Sequence, residues 1–170
     1  FNTSTTYKQL KEMERMGETS TRIAIEDFIA SLTAEYYNFI RQRLRLNNYY
    51  NAVLLSRERL RIVEERYNIG NFSRLDYQQA KVDFNADSAQ YIKQQEVVIT
   101  SRIALNEMMA IEQVYTPITT VETTIEIDST LDFTYLWNRM LENNAELLLA
   151  DHSNTITEFD YKKVLSRNYP

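Results

Sequence analysis

The chain has 170 residues, 44% hydrophobic and 25% charged, with a formal charge of −5. Two glycines and two prolines are too few for the turns of a β-sandwich or barrel, so the composition points to long helices. The absence of cysteine excludes disulfides, thiolate metal sites and a cysteine nucleophile, and the acidic balance argues against a nucleic-acid partner, whose footprint is usually basic.

The mean hydropathy is negative, so the apolar residues must lie in stripes. No run reaches the ~18 apolar residues that a membrane helix needs. No charged-apolar-small leader opens the chain, so any secretion signal is expected to lie outside it, and its close falls in helical pattern, so the sequence reads as a piece of something larger.

From Thr5 to Ile69 there is no proline and one glycine, Gly17. Ile25, Phe28, Leu32, Phe39, Leu46, Val53, Leu60 and Tyr67 follow helical spacing. A second stripe of Ile29, Tyr36, Ile40, Leu44, Leu54 and Ile62 runs beside it. A two-stranded coil needs one narrow seam, so two stripes predict neighbours on both sides, as in a wall of helices. Some 60 residues at about 1.5 Å each make a rod of roughly 90 to 100 Å.

At Asn68-Ile69-Gly70-Asn71 the rod is expected to stop, with Gly70 as the left-handed residue after the helix and Arg66 in its last turn. Ser73 is placed to cap the next helix, with Asp76 in capping-box position. So short a turn forces antiparallel helices. The return helix is expected to run from about Arg74 to Met109, one face carrying Leu75, Val82, Ala86, Ala89, Val97, Ala104 and Met108 and a second Ile92, Ile99 and Ile103. From Ile111 to Thr130 an extended connection is predicted, broken by Pro117, with a short strand near 121 to 127. Helix resumes over Leu131 to Leu141, and Asn143 or Asn144 caps another from Ala145 to about Asn168. The fold class is therefore all-α: a long antiparallel helical hairpin of coiled-coil type, further helices and a short extended connection, in one helical segment of 170 residues.

Tyr67-Asn68-Ile69-Gly70-Asn71-Phe72-Ser73-Arg74-Leu75-Asp76-Tyr77-Gln78-Gln79-Ala80 resembles the turn of TolC-like outer-membrane efflux proteins, with an aromatic, a glycine three later, then Ser, Leu, Asp and Ala at set offsets. Ala30 to Arg45 is similar to that family's long outer helix, and Ile103 to Met109 to the end of its returning helix, with Ala110 where a glycine is usual. Asn143-Asn144-Ala145-Glu146-Leu147 resembles the Asn-Pro-Glu-Leu opening of the second repeat, with Ala145 in place of proline.

The resemblance covers nearly the whole chain. It implies a homotrimer whose protomers each give two hairpins to a periplasmic α-barrel continuous with a β-barrel in the outer membrane, whose strands this chain lacks. It implies no enzymatic activity and no cofactor. Small molecules or proteins would pass through the duct, delivered by an inner-membrane transporter that a periplasmic adaptor (membrane fusion) protein connects to it. The adaptor's tip would dock on Tyr67, Ile69, Gly70, Asn71, Phe72 and Ser73, and Asp76 would join charged contacts that gate the closed end. On the residues alone the turn reads as an ordinary interhelical connection and Asp76 as a cap. A structural coiled-coil or spectrin-like scaffold module explains the stripes equally well.

Seven arginines against three glutamates over residues 41 to 66 read as a solvated or interprotomer face rather than a nucleic-acid site. Glu107, Glu112, Asp151, His152, Glu158 and Asp160 do not form the Glu-x-x-His pattern of a di-iron bundle, since Leu149 stands three residues before His152. His152 is expected at a surface or bundle edge, and no metal site is expected.

Overall fold

The computed structural model describes residues 2–120 and 129–166. It is all-α: α1 (Asn2–Asn68), α2 (Arg74–Met108), α3 (Phe133–Asn143) and α4 (Ala145–Ser166), with no strand among the described residues. The strand expected near 121 to 127 lies outside those residues. No helix of the described residues is long and apolar enough to cross a membrane.

α1 runs unbroken for 67 residues. Gly17, with nothing within 4 Å of a built Cβ, sits inside it without ending it. A single helical glycine costs about 1 kcal/mol relative to alanine, which the rest of a long helix offsets.

Two compact units divide the chain, residues 32–125 and residues 1–31 with 126–170. The first is an antiparallel hairpin of α1 and α2. As the contacting residue in α1 falls from Tyr67 to Gln42, its counterpart in α2 rises from Tyr77 to Gln94, through Arg59–Asp83 and Tyr50–Tyr91. The seam repeats every seven residues on both helices. In α1 it takes Leu32, Phe39, Leu46, Val53 and Leu60 with Gln42, Tyr49, Ser56 and Val63; in α2 it takes Tyr77, Phe84, Tyr91, Val98 and Leu105 with Ala80, Asp87, Gln94, Ser101 and Met108, all buried or half-buried.

The two α2 faces expected from hydrophobicity are therefore corrected in part, since of their residues only Ile103, Ala104 and Met108 are half-buried. Leu75, Val82, Ile92 and Ile99 are 77%, 58%, 59% and 44% exposed, and Ala86, Ala89 and Val97 are exposed as well. Besides Val98, Leu105 and Met108, the α2 side of the seam uses small, aromatic and amide side chains, and the Gln94 amide finds its partner across it. Gln94, 7% exposed, donates through Nε2 to Gln42 Oε1 (2.9 Å) and to the Gln42 carbonyl (3.2 Å).

Beyond α2 the connection is tacked down by Asn106. Fully buried, it donates through Nδ2 to the carbonyls of Val114 (2.7 Å) and Thr116 (2.9 Å).

In the second unit α4 packs antiparallel on the first turns of α1. Arg22 donates to the Asn143 carbonyl, Glu12 pairs with His152, and Gln9 bonds to Asp160 and Lys163. Asp132 caps α3 by accepting from the Tyr135 N–H at 2.8 Å. Asn144, not Asn143, caps α4: its Oδ1 accepts from the Leu147 N–H at 2.9 Å.

Candidate functional site

The turn between α1 and α2 is built by two consecutive capping devices. The Asn71 N–H donates to the Arg66 carbonyl (2.9 Å) and the Gly70 N–H to the Tyr67 carbonyl (3.0 Å), which together make a Schellman closure. It requires a left-handed residue at Gly70, whose φ is +79°. Two residues later Ser73 Oγ accepts from the Asp76 N–H (3.1 Å), while the Asp76 carboxylate accepts from the Ser73 N–H (3.1 Å) and hydroxyl (2.7 Å). Orphan backbone groups at both helix ends are thus satisfied locally.

Aromatic contacts brace this closure from the hairpin side. Tyr67 stacks on Tyr77 with centroids 5.4 Å apart and planes 7° from parallel. The Tyr77 hydroxyl donates to Glu64 (3.2 Å), whose negative charge holds the phenol above its usual range. Arg66 lies over the Phe72 ring at 5.5 Å. Phe72 is half-buried under that guanidinium.

What the tip presents outward is Ile69, 71% exposed, with Gly70 and Asn71, and on the α2 side Leu75, 77% exposed. The six turn residues singled out in the sequence are consecutive or nearly so, and the fold keeps them in one cap. Leu75 falls outside that set because its spacing assigns it to a packed face.

Asp76 is exposed, and its polar partners are those of Ser73. The Ser73 hydroxyl first, then its backbone N–H, hold the carboxyl below the usual aspartate range. Both bonds end on Oδ2.

Outside the turn, the arginines of α1 act locally. Arg61 bridges Glu58 and Glu65 at 2.6 Å each, Arg59 reaches Asp83 at 3.5 Å, Arg57 lies over Phe84, and Arg43 donates to Thr120. Among the described residues no group of three or more His, Asp or Glu is placed to hold a metal ion. His152 is half-buried: its side chain is 18% exposed and its Nδ1 lies 2.6 Å from Glu12 Oε1. A partner 140 positions away could not be read from local spacing.

The structure adds one surface that sequence spacing does not single out. α3 buries none of its residues, and Phe133, Leu136, Trp137, Met140 and Leu141 are all at least 36% exposed.

No family model, curated protein or solved structure matches the chain.

Proposed function

We propose that this chain is a wall element of a TolC-like outer-membrane efflux duct, a passage and docking piece rather than an enzyme. One observation carries the reading: besides the aliphatic residues of its seam, the hairpin keeps a second set of large aliphatic side chains on the outside. Leu44, Leu54, Leu55 and Ile62 of α1 are 38% to 75% exposed, and Leu75, Val82, Ile92 and Ile99 of α2 are 44% to 77% exposed, while the seam between the helices holds Gln42, Ser56, Gln94 and Ser101. Exposed apolar area of this extent marks an interaction surface. Helices with an apolar strip on the side away from their hairpin partner suit a cylinder in which every helix has two neighbours.

In this reading three copies close the barrel, the segment projects into the periplasm, and the turn meets the adaptor. Ile69 and Leu75 supply apolar contact there. Gly70 and Asn71 supply exposed backbone, and Tyr67, Phe72 and Ser73 fix the shape of the cap. Asp76 is the gating residue: with both Ser73 bonds on Oδ2, Oδ1 is available to a cation from a neighbouring chain, and opening exchanges that contact for others.

Cysteines placed singly through the turn test the docking claim. Asn71→Cys and Phe72→Cys should cross-link to a cognate adaptor tip in the periplasm, whereas adducts only at sites remote from the turn would defeat it. The rival scaffold reading is supported by the same heptad seam. It is separated by the gene's flanking sequence, where alternating strands of about 9 to 11 residues on both sides belong to a duct and their absence to a scaffold.

A further inference from the structure

The chain has one histidine, and the fold sets it inside the seam between α1 and α4. Leu149 and Ile156, one turn to either side of His152 on α4, are half-buried, so the imidazole occupies a packing position. Its Nδ1–H donates to Glu12 across the seam at 2.6 Å, with 18% of the His152 side chain and 13% of the Glu12 side chain exposed.

The seam depends heavily on such bonds. Ala145 is the one fully buried apolar residue among the described residues of this unit, beside the buried amide of Gln9. The bonds that cross it are polar: Arg22 to the Asn143 carbonyl, Gln9 to Asp160 at 2.8 Å, Lys163 to Gln9, and the His152–Glu12 pair. Where apolar burial is small, a change in one charge weighs more on whether two helices stay docked.

We propose that the His152–Glu12 pair is a proton-responsive latch on the α1–α4 contact, tightening α4 on α1 when the imidazole is charged and loosening it when the imidazole is neutral. The N–H to carboxylate bond exists in both states, and a proton on the ring adds the attraction of opposite charges across the seam. Histidine is the side chain whose ordinary titration falls between pH 5 and 8. The other charges beside the pair are Arg15 of α1, 3.2 Å from Glu12 Oε2, and Asp151, the residue before His152 on α4. Glu12, the one group bonded directly to the ring, carries the charge-dependent attraction.

The direction follows from which partner changes charge. Hydrogen bonding from His152 holds the Glu12 carboxyl below its usual range, so the anion persists throughout the histidine window. The charge-dependent part of the contact is therefore present on the acidic side of that window and is lost as pH rises through it. On further acidification it fails again, once Glu12 takes up a proton. This inference concerns the α1–α4 unit alone and stands whether or not the duct reading holds.

Hydrogen exchange on the full chain tests it. After correction for intrinsic rates, amides of residues 148–160 should be about three- to fivefold better protected near pH 5.5 than near pH 8. His152→Gln, which keeps a donor without the charge, and Glu12→Gln, which keeps an acceptor without it, should each abolish that ratio. The α2 amides, in the other unit, report whether each variant is folded. Equal protection at the two pH values in the unmodified chain overturns the latch, as does a response of undiminished size in Glu12→Gln.

Discussion

Gly70 and Ala110 occupy the same place in the same motif. Each follows a long helix by two residues, each has positive φ (79° and 54°), and each is followed by a residue whose N–H reaches five positions back, Asn71 to Arg66 and Ile111 to Asn106. One is the residue type that this conformation favours and the other is not. A Cβ in the left-handed region costs roughly 1 to 2 kcal/mol. Since nothing lies within 4 Å of a Cβ built on Gly70, backbone strain is the whole penalty there. Gly70→Ala should lower the unfolding free energy by about 1 kcal/mol and Ala110→Gly should raise it by a similar amount. Urea titration of both variants checks the opposite signs; a destabilised Ala110→Gly chain would show that the two closures are not equivalent.

The Gln42–Gln94 contact gives a non-additive pair. Gln94→Leu alone removes the donor to a buried carbonyl and amide and should cost about 1 to 3 kcal/mol. Replacing both glutamines by leucine should recover most of that loss, because two apolar side chains satisfy each other where one buried amide cannot. A double-mutant cycle by chemical denaturation measures the coupling, and simple additivity would contradict the geometry.

Acid should remove what the Asp76 carboxylate contributes to the start of α2. Its folded-state pKa is depressed below the ordinary value of 3.8 by the Ser73 hydroxyl and N–H. Its stabilisation is thus complete above that ordinary value and disappears as pH falls through the depressed one. Asp76→Asn should be less stable than the unmodified chain at neutral pH, and the gap should close as pH falls below the ordinary carboxylate range, as read from melts at descending pH. Ser73→Ala, which removes the other half of the box, should cost about 1 kcal/mol at neutral pH.

Ile62→Glu and Ile99→Glu address the outer faces. Both side chains are exposed, 38% and 44%, so each variant should leave stability of the isolated chain within about 0.5 kcal/mol. On the wall reading proposed above, the same substitutions should block association between copies, followed by native mass or sedimentation. Unchanged assembly would remove the lateral-wall reading while leaving the hairpin intact.

The long rod, the hairpin and its turn were legible because their signals are local. Gly70, Ser73 and Asp76 are punctuation within seven residues, and Asp132 and Asn144 cap α3 and α4 in the same way. The pairing face of α2 was not legible from hydrophobicity, which selects Leu75, Val82, Ile92 and Ile99 on the outside. The recurrence of Tyr77, Phe84 and Tyr91, with Ala80, Asp87 and Gln94, was the better signal for the seam. Hydropathy ranks most of those residues low although they pack. Two contacts, Glu12–His152 and Asn106 with the connection, depend on how the chain folds back and leave no trace in spacing.

Gln94 also limits how the hairpin can move. Shifting α2 along α1 by one heptad would carry its amide away from Gln42 to face Tyr49 or Glu35 and would break both bonds that Gln94 makes to Gln42. The pair therefore acts as a key in a slot: sliding either helix lengthwise past the other costs both bonds at once, so the register of the hairpin is held well away from its turn.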